Sequence, residues 1–291
     1  MPTISFLILT YNSSHYFKNL FSSIEKEVGS EIKNGLYEVI IVDNASTDGS
    51  SEEIKKYVTS NIYFFQNDKN CGYAKGINVA ASHATGEILI VINPDATLAT
   101  SDFEKVIGAF HANKKLAIAG LVIEKEEGKR EKTAGKFYNL FTILLFCLGV
   151  EDAFGLRFSP KKERQVDYVS GGFVAFRTEA YKKLKGFDED YFMYVEDMDI
   201  CYRARQMGYE TRFIPFAKII HKGQGSSSRE FAIVNIYKGL ITFYEKHASF
   251  LMVQCVKNLL SIKAASIIFL GSVLDKKDLV STYTKALKTI S

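Results

Sequence analysis

The sequence predicts an α/β fold built on a mostly parallel sheet, and two observations carry that prediction. First, short and mostly apolar runs recur between helix-like segments: Ile4–Leu9, Glu38–Val42, Ile62–Phe65 and Ile88–Ile92. Continuous apolar runs of this length mean strands buried on both faces, the habit of parallel sheets covered by helices. Second, three of these runs end in polar residues, Thr10-Tyr11, Asp43 and Asn93-Pro94-Asp95. Ligands of open α/β sheets bind at the carboxyl ends of the strands. A chain of 291 residues, 47% apolar and 24% charged, is large enough to bury such a core.

Each element follows from local pattern. After Asn12 a helix is expected, capped by Ser13 or Ser14, with Leu20, Phe21 and Ile24 on its inner face. The turn Ser46–Gly49 leads into a helix over Glu52–Val58, with Asp48 or Ser46 as cap. Gly72–Ala84 is small, Ala-rich and helical. Asp102–Asn113 reads as a helix and Leu116–Ile123 as a strand. The charged stretch Glu124–Lys132 and the apolar segment Phe137–Val150 read together as a variable insertion near residues 124–165. Order resumes at Val166–Arg177, where Ser170-Gly171-Gly172 interrupts a strand, and paired glycines there mark close approach of a ligand or another backbone. Residues 178–185 and 196–207 are predicted helices, 210–214 a short strand, and the chain from Arg229 onward mostly helix.

Composition excludes several classes. A net charge of +4 with no dense Lys/Arg stripe argues against nucleic acid as partner. Cys71, Cys147, Cys201 and Cys255 form no CxxC pair and read as free thiols in a reducing compartment. The N-terminus has no signal-peptide pattern, so a cytoplasmic location is the expectation. Phe137–Val150 is too short to span a bilayer, which takes ~20 apolar residues. Phe250–Leu274 is long enough but contains Lys257 and Lys263, and Gln254, Lys257, Asn258 and Ser261 share one helical arc. Both segments are open to two readings, core helices or helices lying in a membrane interface.

The chemistry concentrates in a few places. Glu196, Asp197 and Asp199 crowd into four positions after the aromatic run Tyr191–Val195. Asp199 and Arg203 are spaced for an ion pair on one helix. Asp197 lies roughly 100° around the helix from Glu196 and is free to enter a cleft. An unpaired carboxylate in an aromatic surround is pushed up in pKa and suits a general base, although the helix N-terminus pushes the other way. Asp43, in a segment dense with turn-forming acceptors, either caps the next helix or holds a nucleotide's ring N–H and ribose hydroxyls. In Asn93-Pro94-Asp95 the proline holds Asp95 at the sheet edge, where a lone carboxylate beside diphosphate oxygens suits Mg²⁺ or Mn²⁺. Gly72–Asn78 is only loosely a phosphate loop, with Lys75 as its cation. It is neither GxGxxG after the first strand nor a Walker A motif, which removes the best evidence for a dehydrogenase or a P-loop enzyme. His221 has a Gly-rich flank, read as mobile and exposed, which opens it to metal or phosphate. His15, His83, His111 and His247 lie on apparent helices without such context.

Taken in order, these pieces resemble the family 2 inverting glycosyltransferases of GT-A fold. The matching segments are Ile8–Asn12, Val42–Gly49, Asn70–Asn78, Asn93–Asp95, Gly171–Phe173, Gly186–Glu189 and Tyr194–Asp199 with Arg203, followed by His221. The nearest subgroup in appearance is the rhamnosyltransferase-like enzymes of bacterial surface polysaccharide synthesis. The resemblance implies a Rossmann-like GT-A domain over residues 1–226, with a nucleotide-sugar half (1–100) and an acceptor half (101–226). A C-terminal helical extension follows at 227–291. It implies that Thr10, Tyr11 and Asp43 hold the base and ribose of a nucleoside-diphosphate sugar, while Gly72, Lys75, Asn78 and Asn93 face the donor. Asp95 matches the last residue of the family's Asp-x-Asp metal motif, and His221 a position that contacts metal or diphosphate, with Mg²⁺ or Mn²⁺ as cofactor. Asp197 matches the catalytic base; Gly171, Gly172 and Glu196 fall on the acceptor side. One departure is Asn93, which stands where the motif has its first Asp. The expected donor is dTDP-rhamnose, then UDP-sugars; the expected acceptor is a glycan or lipid-linked glycan at the inner face of the cell membrane. A homodimer is left open. Two rival readings are weaker. A nucleotidyltransferase needs a basic Gly-rich loop that Thr10–Ser14 lacks, and an inactive carbohydrate-binding or scaffold subunit need not keep Asp43, Asp95 and Asp197.

Overall fold

The computed structural model describes residues 2–221 and 228–290. Its first half alternates strand and helix: β1 (Ile4–Thr10), α1 (Phe17–Lys33), β2 (Tyr37–Asp43), α2 (Ser50–Lys55), β3 (Ile62–Gln66), α3 (Tyr73–His83) and β4 (Ile88–Ile92). β5 (Ala96–Leu98), α4 (Phe103–Ala112) and β6 (Leu116–Lys125) follow. The stretch read as an insertion forms β7 (Ala134–Gly135), α5 (Leu140–Leu148), β8 (Arg157–Phe158) and β9 (Arg164–Gln165). β10 (Tyr168–Val169), β11 (Phe173–Arg177), α6 (Thr178–Lys183), α7 (Glu196–Gln206) and β12 (Glu210–His221) complete the sheets, and α8 (Arg229–His247), α9 (Phe250–Val273) and α10 (Lys277–Leu287) close the chain.

The main sheet runs β3-β2-β1-β4-β11-β6-β12-β5, with β9 beside β12, and a small sheet runs β10-β7-β8. β3, β2, β1 and β4 are parallel, as their buried apolar runs predict, and Thr10 pairs with Asp43 at the carboxyl end. β11 then enters antiparallel between β4 and β6, so the second half of the sheet is mixed. Ser170-Gly171-Gly172 is the turn by which the chain leaves the small sheet at β10 and enters the main sheet at β11.

Helices cover both faces. One core gathers Phe17, Leu20 and Phe21 of α1 and Val106 and Phe110 of α4 on the sheet. The other gathers α3, α7 and the C-terminal helices, with Tyr237, Leu240, Val256 and Leu260 in one cluster with Leu7, Val42 and Phe176. The C-terminal helices are therefore part of the same packed body. The expected boundary at 226/227 lies outside the described residues.

Two local expectations need correction. Neither Ser13 nor Ser14 caps α1, which begins after a single 3-10 turn. Their backbone N–H groups instead donate to Ser50 Oγ (3.0 Å) and Asp48 Oδ2 (3.0 Å), so Asp48 ties two chain segments together. β12 extends far past residue 214, because a register shift between Phe213 and Lys218 accommodates Pro215 within the strand. On α9 both lysines are engaged. Lys257 pairs with Glu245 (2.9 Å), while Lys263 donates to the Phe146 carbonyl (2.8 Å) and sits over its ring. The outer stripe of α9 is apolar and exposed at Phe250, Leu251, Ile262, Phe269 and Val273.

Candidate active site

A cleft of about 870 Å³ opens at the carboxyl ends of β1 and β4. It gathers Thr10, Tyr11, Gly72, Asn93, Asp95, Gly171, Gly172, Glu196, Asp197 and His221 from positions far apart in the chain. Asp43, Lys75 and Asn78 do not line it.

The three absentees have other work. Asp43 is fully buried, and its carboxylate accepts from the Ser46 N–H (3.0 Å), Ser51 Oγ (2.8 Å) and Ser46 Oγ. It fastens the 43–51 turn and is closed off from solvent. Asn78 donates to the Phe187 carbonyl (2.8 Å) and accepts from the Phe187 N–H (2.9 Å) and Tyr181 Oη (2.7 Å), so its amide is spent on holding Gly186-Phe187. Lys75 pairs outward with Glu189 (2.9 Å). Asn44 stands in the cleft wall, and its amide donates to the Gly72 carbonyl (3.0 Å).

The nucleotide side is built from β1 and the loop before α3. Thr10 is almost fully buried, yet its Oγ1 has no hydrogen-bond partner among the described residues. A buried hydroxyl left unpaired in a cleft wall is unusual among buried polar groups. Gly72 has φ of 85°, and a side chain there would run into the Phe192 carbonyl, which instead accepts from the Tyr73 N–H (2.6 Å). Only glycine meets both conditions without strain.

A charged pole stands at the end of β4. His221 is not a mobile loop residue, as its flank suggests; it is the last residue of β12, paired with Ala96 of β5. Its Nε2 lies 3.0 Å from Asp95 Oδ2 and its Nδ1 3.1 Å from Glu131 Oε1. These two hydrogen bonds, against the opposing effect of burial, raise the imidazole to about 10. The residues fit a divalent cation held jointly with a substrate. Asp95 offers a hard oxygen and the deprotonated Nε2 a nitrogen, while Glu131 on Nδ1 supplies the orienting carboxylate common behind metal-bound histidines. Among the described residues no group of three or more ligating side chains forms a protein-only cage. Diphosphate oxygens and water would therefore complete the shell. Asn93 adds an amide at the same edge, and its Nδ2 lies close to where a side chain on Gly172 would begin (3.1 Å).

The acid pair sits across the cleft at the start of α7. Tyr194 and Val195 precede it with φ of 71° and 73°. Consecutive left-handed residues, one of them β-branched, are a strained entry to a helix. Gly239 of α8 lets this turn approach, since a Cβ there would lie 2.9 Å from the Tyr194 carbonyl. Asp197 accepts from the Gly171 N–H (3.2 Å) and the Met198 N–H (2.8 Å), and the Gly171 carbonyl in turn accepts from Tyr73 Oη (2.8 Å). Burial raises the Asp197 carboxyl despite these bonds and the nearby Arg157 cation. Burial therefore outweighs the helix N-terminus, a contest that sequence alone leaves open. Asp199 is fully buried and pairs with Arg203 (2.7 Å), as the spacing predicts, and with His247 (2.7 Å), which the sequence gives no reason to single out. Glu131, Tyr138, Arg157 and Tyr168 also line the cleft and carry no recognisable motif.

Fold and site together define a sugar-transferring enzyme of GT-A architecture, and comparison with known proteins agrees. The family model for glycosyl transferase family 2 matches residues 5–185, and a model described as the N-terminal domain of galactosyltransferase matches residues 156–224. The chain belongs to glycosyl transferase family 2. It is 23% identical to rhamnosyltransferase WbbL of Escherichia coli K12 over 74% of this chain and 81% of that protein. It is also 23% identical to the N-acetylglucosaminyl-diphospho-decaprenol L-rhamnosyltransferase of Mycobacterium tuberculosis, over 76% of each. The solved mannosyltransferase PcManGT of Pyrobaculum calidifontis, in complex with GDP-Man and Mn²⁺, shares the fold with a TM-score of 0.59. It is 16% identical and is matched over 99% of this chain and 86% of that one.

Proposed function

We propose that the protein is an inverting glycosyltransferase that moves a sugar, rhamnose first among candidates, from a nucleoside diphosphate to a glycan or lipid-linked glycan acceptor. The observation that carries this is the placement of Asp95 and Asp197 in one cleft, the first beside His221 and the second a buried, upward-shifted carboxylate. Asp197 takes the proton of an acceptor hydroxyl as that oxygen bonds to the anomeric carbon. The bond from that carbon to the diphosphate breaks, and its electron pair leaves with the nucleotide, so the configuration inverts. Thr10, Tyr11 and Asn44 line the region for the nucleoside, and Gly72 keeps the backbone close to it. Asp95 and His221 would hold Mg²⁺ or Mn²⁺, which when bound supplies charge neutralisation at the leaving diphosphate. Supporting a rhamnosyl donor are the two rhamnosyltransferases among the relatives; UDP-sugars are second, and the GDP-mannose of the structural relative is a third donor to include. Thermal-shift screening of dTDP-rhamnose, UDP-sugars and GDP-mannose, each with and without Mn²⁺ or Mg²⁺, tests this. One donor should raise Tm by several degrees only with metal, and no response to any of them counts against the reading.

We also propose a peripheral membrane location, at the inner face of the cell membrane, and the exposed apolar surface supports the membrane association. α9 is long and apolar enough to cross a bilayer, yet only 22% of its apolar window is buried, and α5 adds exposed Phe141 and Leu148 nearby. A contiguous apolar face of this kind seeks an apolar phase. The protein should co-float with vesicles of phosphatidylglycerol and phosphatidylethanolamine, and Phe250→Ser with Phe269→Ser should abolish it. Equal recovery of both proteins with the vesicles would rule out this face as the anchor.

A further inference from the structure

Proton transfer to Asp197 leaves its neighbour without a stated task. Glu196 is 5% exposed and lines the cleft, and its Oε2 has no hydrogen-bond partner among the described residues. None of the ion pairs found there involves it; those of α7 are made by Asp199, Arg203 and Arg205. The titratable groups that face it are Asp197 and Asp199 from its own helix and the buried Tyr73 phenol from α3. Among the described residues, the cation that bears on the pair is Arg157 of β8, and it acts on Asp197. An ionised carboxylate in such surroundings has lost its water, lacks a counter-ion and faces two like charges, so the neutral acid is the favoured form. Burial, and then the Asp197 charge, hold the Glu196 carboxyl well above the usual carboxylate range. Asp197, bonded by two backbone N–H groups, is the member of the pair that ionises first.

We propose that Glu196 stands protonated and donates a hydrogen bond from its carboxyl to an uncharged oxygen of the acceptor, next to the hydroxyl that Asp197 deprotonates. The acceptor class is therefore a sugar with vicinal hydroxyls, one giving its proton to Asp197 and the other receiving a hydrogen bond from Glu196. This rests on the transferase reading above. One carboxyl works as a base and its neighbour as a donor because burial and mutual charge push their protonation apart.

Two measurements test it. In ligand-free protein, a group whose folded pKa lies above its unfolded value loses stabilisation as pH rises toward the folded pKa. Glu196→Gln cannot ionise, so its Tm should gain on wild type as pH rises from the usual carboxylate range toward the raised pKa of Glu196. A Tm difference that does not change with pH would overturn the protonated state, whatever the enzyme's activity. In the kinetic arm, n-octyl glycosides serve as acceptor probes with the donor selected by the screen. Glu196→Ala should raise the acceptor KM about tenfold with kcat less affected, and Glu196→Gln, which retains an N–H donor, should recover most of that loss. An unchanged KM in Glu196→Ala, or a Gln variant as inactive as Asp197→Asn, would refute the contact. Wild-type protein without turnover on any donor counts against the transferase reading instead, and the pH-dependent stability gain still decides the protonation state.

Discussion

Asp197→Asn should lower kcat by about 10²–10⁴-fold, the range a positioned general base contributes, while the nucleotide donor binds with less than a twofold change. The substitution keeps the side-chain volume, and the amide oxygen can still accept from the Gly171 or Met198 N–H, so the turn and helix should remain in place. What is lost is the proton acceptor, together with one of the two backbone N–H bonds. The wild-type pH profile should carry the same signature. Burial raises the Asp197 carboxyl, and only its ionised form is a base. Activity is therefore lost as pH falls through that raised value, and the acid limb should lie above the usual carboxylate range. Single-turnover kinetics with calorimetric donor titration separates the two effects. Turnover within tenfold of wild type in Asp197→Asn would remove Asp197 from the base role.

Asp95→Ala should weaken Mn²⁺-dependent binding of the nucleoside diphosphate by about 100-fold or more and leave binding of the bare nucleoside unchanged. Asp95 is the carboxylate on the Nε2 side of His221, 3.0 Å away, and a cation bound there would keep a single protein ligand without it. Glu131→Gln acts one shell further out, through the orientation of the imidazole, and should cost about 10-fold. Titration of nucleoside diphosphate with and without Mn²⁺ measures both. If Asp95→Ala retains full metal stimulation, the cation is held elsewhere in the cleft.

Much of this site was legible in the chain because strand ends advertise themselves. A buried apolar run that stops at Thr10 or at Asn93-Pro94-Asp95 must deliver a polar group to the sheet edge, and both reach the cleft. The acid cluster was legible for a related reason: the Asp199–Arg203 spacing accounts for one carboxylate and leaves the others for the cleft. Asp43 and Asn78, which do not line the cleft, show the complementary limit. Asp43 ends its strand in register with Thr10, but its own turn supplies donors that consume the carboxylate. Asn78 sits in a motif that suggests a ligand, yet its amide is satisfied by residues more than a hundred positions later. Glu131 lies in a charged stretch with nothing local to distinguish it from Glu126 or Glu127. Only the course of the chain beyond β6 brings it to His221.

Apolar periodicity and strand-end polarity determine the α/β class, the parallel first half and the presence of an acid-rich cleft, because these depend on which faces of each element must leave water. The tertiary structure decides which acids stay free to act. Protonation and ligand access depend on the donors, cations and burial that distant segments bring to each side chain. Those segments fix Asn78 into the scaffold, close Asp95 onto His221 and Glu131, and leave Glu196 and Asp197 as a buried pair in the cleft.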